Sequence, residues 1–439
     1  MTPLTKLAKI LKTELAASNW TDAGFKRYLA NTGWMAFARF FMLVISFFVT
    51  IQVIRYLGPY NYGLLSYALS FVGMFGFIAT VGVDMIVYRE LIKNPAHESK
   101  IMGSALLLRL IGGAIATSLA VCAGFLFHQN TIDQMLILLI ALVHFGGAWQ
   151  IIAYSFQARV LSKYPAIITL ATAVTLAIAK ISIIFFGKGI IYFALVLVLE
   201  SLLYAILYVV FYTRHINSIR TWQVDTATMR TLFYTSLPLL LSTVSILIYT
   251  RIDQVMLRHY LDATAVGIYD AAVRLSDVWY IIPNILLGAL FPAIVNAQKN
   301  GRNTYRARLK HLAALLFILS VLIAIPTTIF ADTIVSILYG NSYAESSGVL
   351  IIYIWSVAGF SLGQLMNLFL IAENYTGIYF VSSIVTLLVN VGLNLVFIPL
   401  WGLNGAAFAT LISYSLIAVV PFAYPKIRHT LLDKKPVAV

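Results

Sequence analysis

The segment RIDQVMLRHYLDATAVGIYDAAVRLSDVWY, residues 251–280, holds Arg251, Asp253, Arg258, Asp262, Asp270, Arg274 and Asp277 in a chain of which only 10% is charged. If it is two helices turning near Leu261, Asp253 and Asp270 reach the same depth, about 12 Å from the turn. Arg251 and Arg274 then lie just deeper. Asp270, Arg274 and Asp277 follow i, i+4, i+7 spacing, so they share a helix face on which Arg274 can pair with either acid. Two carboxylates at one depth can share a proton or a sodium ion, because each disfavours ionisation of the other. A salt-bridge network that only fixes helix packing is the competing expectation. Asp253 is the leading candidate for the ion-coupling or gating residue, with Asp270 and Asp277 beside it.

Five other charged positions qualify on similar grounds. Arg39 and Arg109 can line a cationic cavity for an anionic ligand, since the guanidinium is permanently charged and offers forked donors; the alternative is an interior arginine paired with a carboxylate. Arg39 and Arg55 are separated by about 24 Å of helix and cannot form one compact site. Lys180 and Glu200 flank Lys188 at depths differing by about 6 Å, close enough to pair, which makes Glu200 a proton-site candidate or half of a static ion pair. Asp84, just before Arg89 and Glu90, is expected at a helix end, as a gate residue or a solvated acid. Arg251 and Arg274 complete the set of candidate substrate-binding cations.

These residues need elements that hold charges in an apolar setting. The 439 residues are 61% hydrophobic with a mean hydropathy of +0.90. A charged fraction far below that of ordinary soluble domains excludes a soluble protein. Apolar stretches long enough to cross a bilayer as helices predict about twelve spans: 34–57, 62–88, 101–127, 132–158, 164–187, 189–213, 231–257, 264–297, 311–331, 346–372, 376–400 and 403–424. Continuous apolar runs exclude a β-barrel. The expected fold is thus all-α and polytopic. Residues 1–33 lack the apolar core of a signal peptide; Leu4, Leu7, Leu11 and Leu15, with Lys6, Lys9 and Lys12 between them, predict an amphipathic helix or a partly ordered tail. The lone Cys122 excludes a disulfide framework and a Cys-rich metal site, and no cofactor is expected.

The formal net charge of +14 does not point to nucleic acid, because its placement alternates. Basic residues gather before span one, after spans two, four, six and eight, and at the C-terminus, whereas the opposite face carries only Arg55, Lys188 and Arg258. That asymmetry predicts both termini on the cytoplasmic side. Arg39, Arg109, Lys180, Arg251 and Arg274 fall inside spans, where a charge faces protein or water.

Residues 55–68, RYLGPYNYGLLSYA, align without gaps with residues 259–272, HYLDATAVGIYDAA, at an offset of 204, matching Tyr56, Leu57, Gly63 and Ala68 to Tyr260, Leu261, Gly267 and Ala272. A weaker echo links the segments beginning at Tyr164 and Tyr375. Two parallel six-span halves follow: an N-lobe over 34–213, a basic linker over 214–230, a C-lobe over 231–425 and a tail over 426–439. Such halves can alternately expose a central site. Asn390 and Asn394, four residues apart, are expected to hydrogen-bond between helices. The 25 tyrosines and seven tryptophans suit membrane interfaces first and sugar stacking second. Pro238, Pro283, Pro292 and Pro326 are candidate kinks.

The stretches RYLGPYNYGLLSYALSF and GVDMIVYRELIKNP, with YTRIDQVMLRHYL and VGIYDAAVRLSDVWYIIP, resemble the bacterial polysaccharide flippases, including O-antigen translocases, of the multidrug/oligosaccharidyl-lipid/polysaccharide exporter superfamily. The resemblance implies a V-shaped pair of six-helix lobes in a bacterial inner membrane. It also implies a polyprenyl-pyrophosphate-linked oligosaccharide as substrate, a proton or sodium counter-ion and polysaccharide-assembly proteins as partners. A small-molecule antiporter of the same architecture is the alternative. An enzyme is not expected: the connections are too short for an acceptor domain, and HExxH and Walker A motifs are absent from the sequence.

Overall fold

The computed structural model describes residues 23–127 and 130–431, and these are almost entirely helical, without a strand among them. The expected amphipathic segment at 4–15 and the last residues of the tail lie outside the described residues, as do the side chains of Pro238 and Pro292. Seventeen helices matter here. α1 is Ala23–Gly73, α2 Asp84–Lys93, α3 Glu98–Phe127, α4 Thr131–Ala141, α5 Ile152–Ala158, α6 Lys163–Phe185 and α7 Ile190–His215. α8 is Thr226–Tyr249, α9 Ile252–Tyr260, α10 Ala263–Asp277, α11 Ile281–Asn296 and α12 Arg302–Ile329. α13 is Ala331–Tyr339, α14 Ser346–Tyr353, α15 Ser356–Ala372, α16 Thr376–Val419 and α17 Pro425–Leu431.

Among the described residues nine helical stretches are long and apolar enough to cross a membrane, where the hydropathy pattern predicts twelve spans. The protein is a multi-pass, all-α membrane protein. The difference in number has local causes. Expected spans one and two meet in α1, which turns at Gly58 with φ 68° just before Pro59; expected spans eleven and twelve meet in α16, which turns at Gly402 with φ 57°. Both turns use the left-handed region open to glycine. Expected span two then breaks again, at Val81 and Gly82, before α2. Expected span seven divides at Arg251, which has left helical geometry and separates α8 from α9. Pro326, by contrast, lies inside an unbroken α12.

The chain packs as two compact units. One comprises described residues up to 50, with 78–122 and 138–237, around a core that includes Val83, Val87, Met102, Ile152, Phe156 and Tyr212. The basic stretch 214–230 is part of this core region rather than a free tether. Ser99 donates to the Thr221 carbonyl, Gln223 N–H donates to the Ser99 carbonyl at 3.2 Å, and Asp225 N–H donates to Ser104 Oγ at 3.0 Å. A Cβ on Gly103 would strike the Gln223 backbone, so glycine is what lets this strap lie on α3. Asp225 then caps α8, which starts earlier than hydropathy predicts: its carboxylate accepts from Thr228 N–H at 2.9 Å and from the Thr228 hydroxyl. Those bonds hold the Asp225 carboxyl below its ordinary pKa.

The second unit comprises 51–77, 123–137 and residues from 238 onward, so it draws two segments from the first half of the sequence. Part of its core joins Leu287, Leu309, Leu312, Phe369 and Leu370. The buried Arg306 of α12 donates to the carbonyls of Thr430 and His429, satisfying the open end of α17.

Candidate functional site

In the second unit, Asp253 occupies the first turn of α9 and is 5% exposed. Its Oδ1 accepts from Asn394 Nδ2 at 2.7 Å, and its Oδ2 accepts from Tyr269 Oη at 2.9 Å and from the Thr410 hydroxyl. Asn394 Nδ2 also reaches Asn390 Oδ1 at 3.3 Å, and Thr410 Oγ1 lies 3.1 Å from the Ala406 carbonyl. The sequence brings these groups together by two devices. The i, i+4 spacing sets Asn390 and Asn394 on one face of α16. The turn at Gly402 folds the last limb of α16 back, and Gly405 permits the close approach, since a Cβ there would collide with the Phe397 carbonyl. The result is one buried carboxylate held by an amide nitrogen and two hydroxyl donors, a site where a proton or a hard cation can compete for the carboxylate oxygens.

Asp270 has different partners. Fully buried on α10, it accepts from Tyr62 Oη at 2.5 Å, from Gln254 Nε2 at 2.8 Å and from Arg274 Nε at 3.3 Å. Ser70 Oγ donates to Gln254 Oε1. Hence Asp253 and Asp270 do lie on adjacent helices, but each has its own hydrogen-bond set. Arg274 pairs with Asp270, its side chain 36% exposed against 1% for the acid. Asp277 and Arg251 are partly buried in the same charge cluster.

The two sets are linked residue to residue. Asp253 and Gln254 are consecutive on α9, Tyr269 and Asp270 consecutive on α10. Asp253 bonds Tyr269 while Gln254 bonds Asp270. Any shift of α10 that breaks one rung moves the other.

The Asp270 set ties together the two sequence repeats. A Cβ on Gly63 would strike the Ala263 carbonyl, and a Cβ on Gly267 would strike the Pro59 carbonyl. Pro59 and Ala263, like Gly63 and Gly267, are related by the offset of 204, so the repeat-related helices cross at their shared glycine with local two-fold symmetry. Nearby, Arg258 pairs with the buried Asp133 at 2.9 Å, and Arg55 donates to the Ile337 carbonyl at 2.8 Å.

In the first unit Arg109, 7% exposed, faces Asp84 at 3.6 Å. This is the paired alternative for Arg109, and it gives Asp84 a specific partner across from the first turn of α2. Arg39 is exposed, and among the described residues no ion pair or hydrogen bond joins it to Arg109. Lys180 and Glu200 do come together, lining a small pocket with Ser46 and Tyr204. Sequence reasoning missed Tyr62, Gln254, Tyr269 and Thr410. Tyr62 stood inside the quoted repeat, and the 16-residue interval that pairs 253 with 269 and 254 with 270 was the available signal.

A model of the family described as polysaccharide biosynthesis protein matches residues 28–298, and the MatE model matches residues 238–396. The probable low-salt glycan biosynthesis flippase Agl15 of Haloferax volcanii is 25% identical over 199 residues, 44% of this chain and 42% of that protein. The probable flippase AglR of the same organism is 27% identical over 189 residues, 42% of this chain and 39% of that one. The chain thus matches about two fifths of the length of these curated relatives, both archaeal. Among solved structures, an inward-facing multidrug resistance MATE family transporter of the MOP superfamily has a TM-score of 0.75 at 14% identity, covering 88% of this chain and 94% of that one. The lipid II flippase MurJ in an inward closed conformation has a TM-score of 0.72 at 17% identity, covering 90% of this chain and 88% of that one. At such identities the likeness is one of fold. With a family model matching more than half of the chain, this protein belongs to the polysaccharide biosynthesis protein family and has the helical fold of MOP-superfamily transporters.

Proposed function

We propose that the protein is a flippase that moves a polyprenyl-pyrophosphate-linked oligosaccharide across the cell membrane by alternating access, driven by a proton or sodium ion taken up at Asp253. The observation that carries this reading is the pair of rungs Asp253–Tyr269 and Gln254–Asp270, which connect a buried ion-type site to the glycine crossing of the two repeats. An ion arriving at Asp253 competes with Tyr269 and Thr410 for its oxygens. Release of Tyr269 frees α10 to move, and with it the Asp270 bonds to Tyr62 and Gln254. The crossing at Gly63 and Gly267 then parts, opening that end to the extracytoplasmic side. Arg274, about a third exposed, and Arg251 beside it supply positive charge for the pyrophosphate. Arg39 is the first-half candidate for the same task, and Lys180 with Glu200 for a second proton site. The glycan biosynthesis in the name of Agl15 supports the substrate class, and the flippase names of both archaeal relatives support the activity.

The match of the MatE model to residues 238–396 favours a second reading, a small-molecule antiporter. Deleting the gene separates the two. The flippase reading expects lipid-linked oligosaccharide to accumulate on the cytoplasmic leaflet and surface glycan to fall; unchanged glycan with altered tolerance to organic cations selects the antiporter.

A further inference from the structure

In the second unit three turns meet around a cavity of about 900 Å³, in the volume range of small-ligand sites. They are the Leu261–Asp262 turn before α10, the start of α14 and the Gly402 turn of α16. The charge distribution predicts this end to be extracytoplasmic. We propose that the cavity is a saccharide subsite, which takes phosphate-free sugar residues of the glycan once they reach the outer face; the inference rests on the flippase reading and names a second place where that glycan is held.

The lining carries the chemistry of sugar recognition. Trp401 is 55% exposed, and its ring is steadied by Phe397 and Phe408, with centroids 4.7 and 5.9 Å away. An exposed indole face fixed in this way is a flat apolar platform for the C–H face of a pyranose ring. Around it stand groups that match hydroxyls. Asp262 and Glu345 are acceptors, Asn404 offers both donors and acceptors, and Thr264 adds a hydroxyl. Asp262 commits one oxygen to capping α10 through Ala265 N–H at 2.8 Å, which fixes it and leaves its other oxygen for a ligand. Gly348 keeps the floor open beneath Asn404, whose Oδ1 would lie 3.3 Å from a Cβ there.

Charge decides which part of a lipid-linked glycan belongs here. No lysine or arginine lines the cavity, and among the described residues neither Asp262 nor Glu345 is in an ion pair. Two carboxylates without a cation repel a pyrophosphate and accept neutral hydroxyls or an amino sugar. The apolar groove of Ile352, Phe408 and Ile412 that continues from Trp401 lets the same residue mark the level at which sugar gives way to lipid. A tryptophan serving only as an interfacial anchor does not account for the flanking acids and the open floor.

The test is saturation-transfer NMR and titration calorimetry on the full chain in nanodiscs, with chitobiose, cellobiose and mannobiose as probes. The expected result is saturable binding of at least one, with saturation strongest on the C–H protons of one ring face. Trp401→Leu should weaken it at least tenfold, Glu345→Gln about threefold, and Trp401→Phe little. Inorganic pyrophosphate should not compete. Failure of all three probes, binding indifferent to Trp401→Leu and Glu345→Gln, or displacement by pyrophosphate overturns the subsite. Where Trp401→Leu fails to fold, Glu345→Gln decides: the roughly threefold loss supports the subsite and unchanged binding overturns it. Flipping by a wild-type protein that binds no saccharide removes this inference alone; saccharide binding without flipping removes the flippase reading alone.

Discussion

At the scale of single residues, Asp253 and Tyr62 separate ion binding from gating. Asp253→Asn keeps the volume and the neutral partners Asn394, Tyr269 and Thr410 but removes the charge. It should cut ion-driven flipping at least tenfold, with normal membrane insertion measured by size-exclusion profile and thermal melt. Tyr62→Phe removes one donor from the buried Asp270, a loss of about 1–3 kcal/mol for a carboxylate left short of a partner. Because the lost bond joins the repeats, Tyr62→Phe should speed thiol labelling of a cysteine placed at the buried Ala263, whereas an unchanged labelling rate contradicts a latch at this point. The charged half of this arrangement was legible in the sequence: Asp253, Asp270 and Arg274 stand out in an apolar chain, and their helical spacing predicts the Asp270–Arg274 pair. Of their neutral partners only Asn394 was, as half of the Asn390–Asn394 pair expected to bond between helices. Tyr62, Gln254 and Thr410 are unremarkable residue types, and only the crossing of distant helices makes them ligands.

At the scale of elements, the turns do the positioning. Gly402 holds φ 57° with ψ −130°, so Gly402→Ala should cost about 1–3 kcal/mol and loosen Thr410 from Asp253. At the glycine crossing, Gly63→Leu or Gly267→Leu leaves no room for the helices to close. Either should abolish flipping while the protein stays in the membrane, and Ala263 should label as if that end were permanently open. The strap at 217–225 behaves differently. The depressed pKa of Asp225 means that its capping contribution is present above the ordinary aspartate pKa, about 3.9, and is lost only as pH falls through the lower folded value. Amide protection factors over the first turn of α8, corrected for the intrinsic pH dependence of exchange, should therefore be flat above pH 5 and fall below about pH 4, and Asp225→Ala should lower them above pH 5. Hydropathy could not locate this start of α8 because the strap is polar; its clue was the Asp225–Thr228 spacing. Nor could hydropathy show Arg109 paired with Asp84, since that pairing depends on the break at Val81 and Gly82, where a continuous span was expected.

At the scale of the whole molecule, all-helical membrane architecture and internal duplication follow from apolar run length and the 204-residue offset. The turns at Gly58 and Gly402 fall at the expected boundaries between spans one and two and between spans eleven and twelve, so two of the nine long apolar helical stretches among the described residues each join two expected spans. The charge asymmetry predicts that cysteines at Ser218 and Arg428 label only from the cytoplasm and one at Asn341 only from outside; labelling of all three from one side contradicts the orientation. The central claim is that an ion at Asp253 drives a glycolipid across the bilayer. It is tested most directly by reconstituting the wild type and Asp253→Asn in vesicles containing a polyprenyl-pyrophosphate disaccharide, imposing a proton or sodium gradient and counting substrate reached by an external lectin. Gradient-dependent transfer by the wild type, lost in Asp253→Asn, is the predicted result. Equal transfer by the two proteins, or transfer indifferent to both gradients, would contradict it.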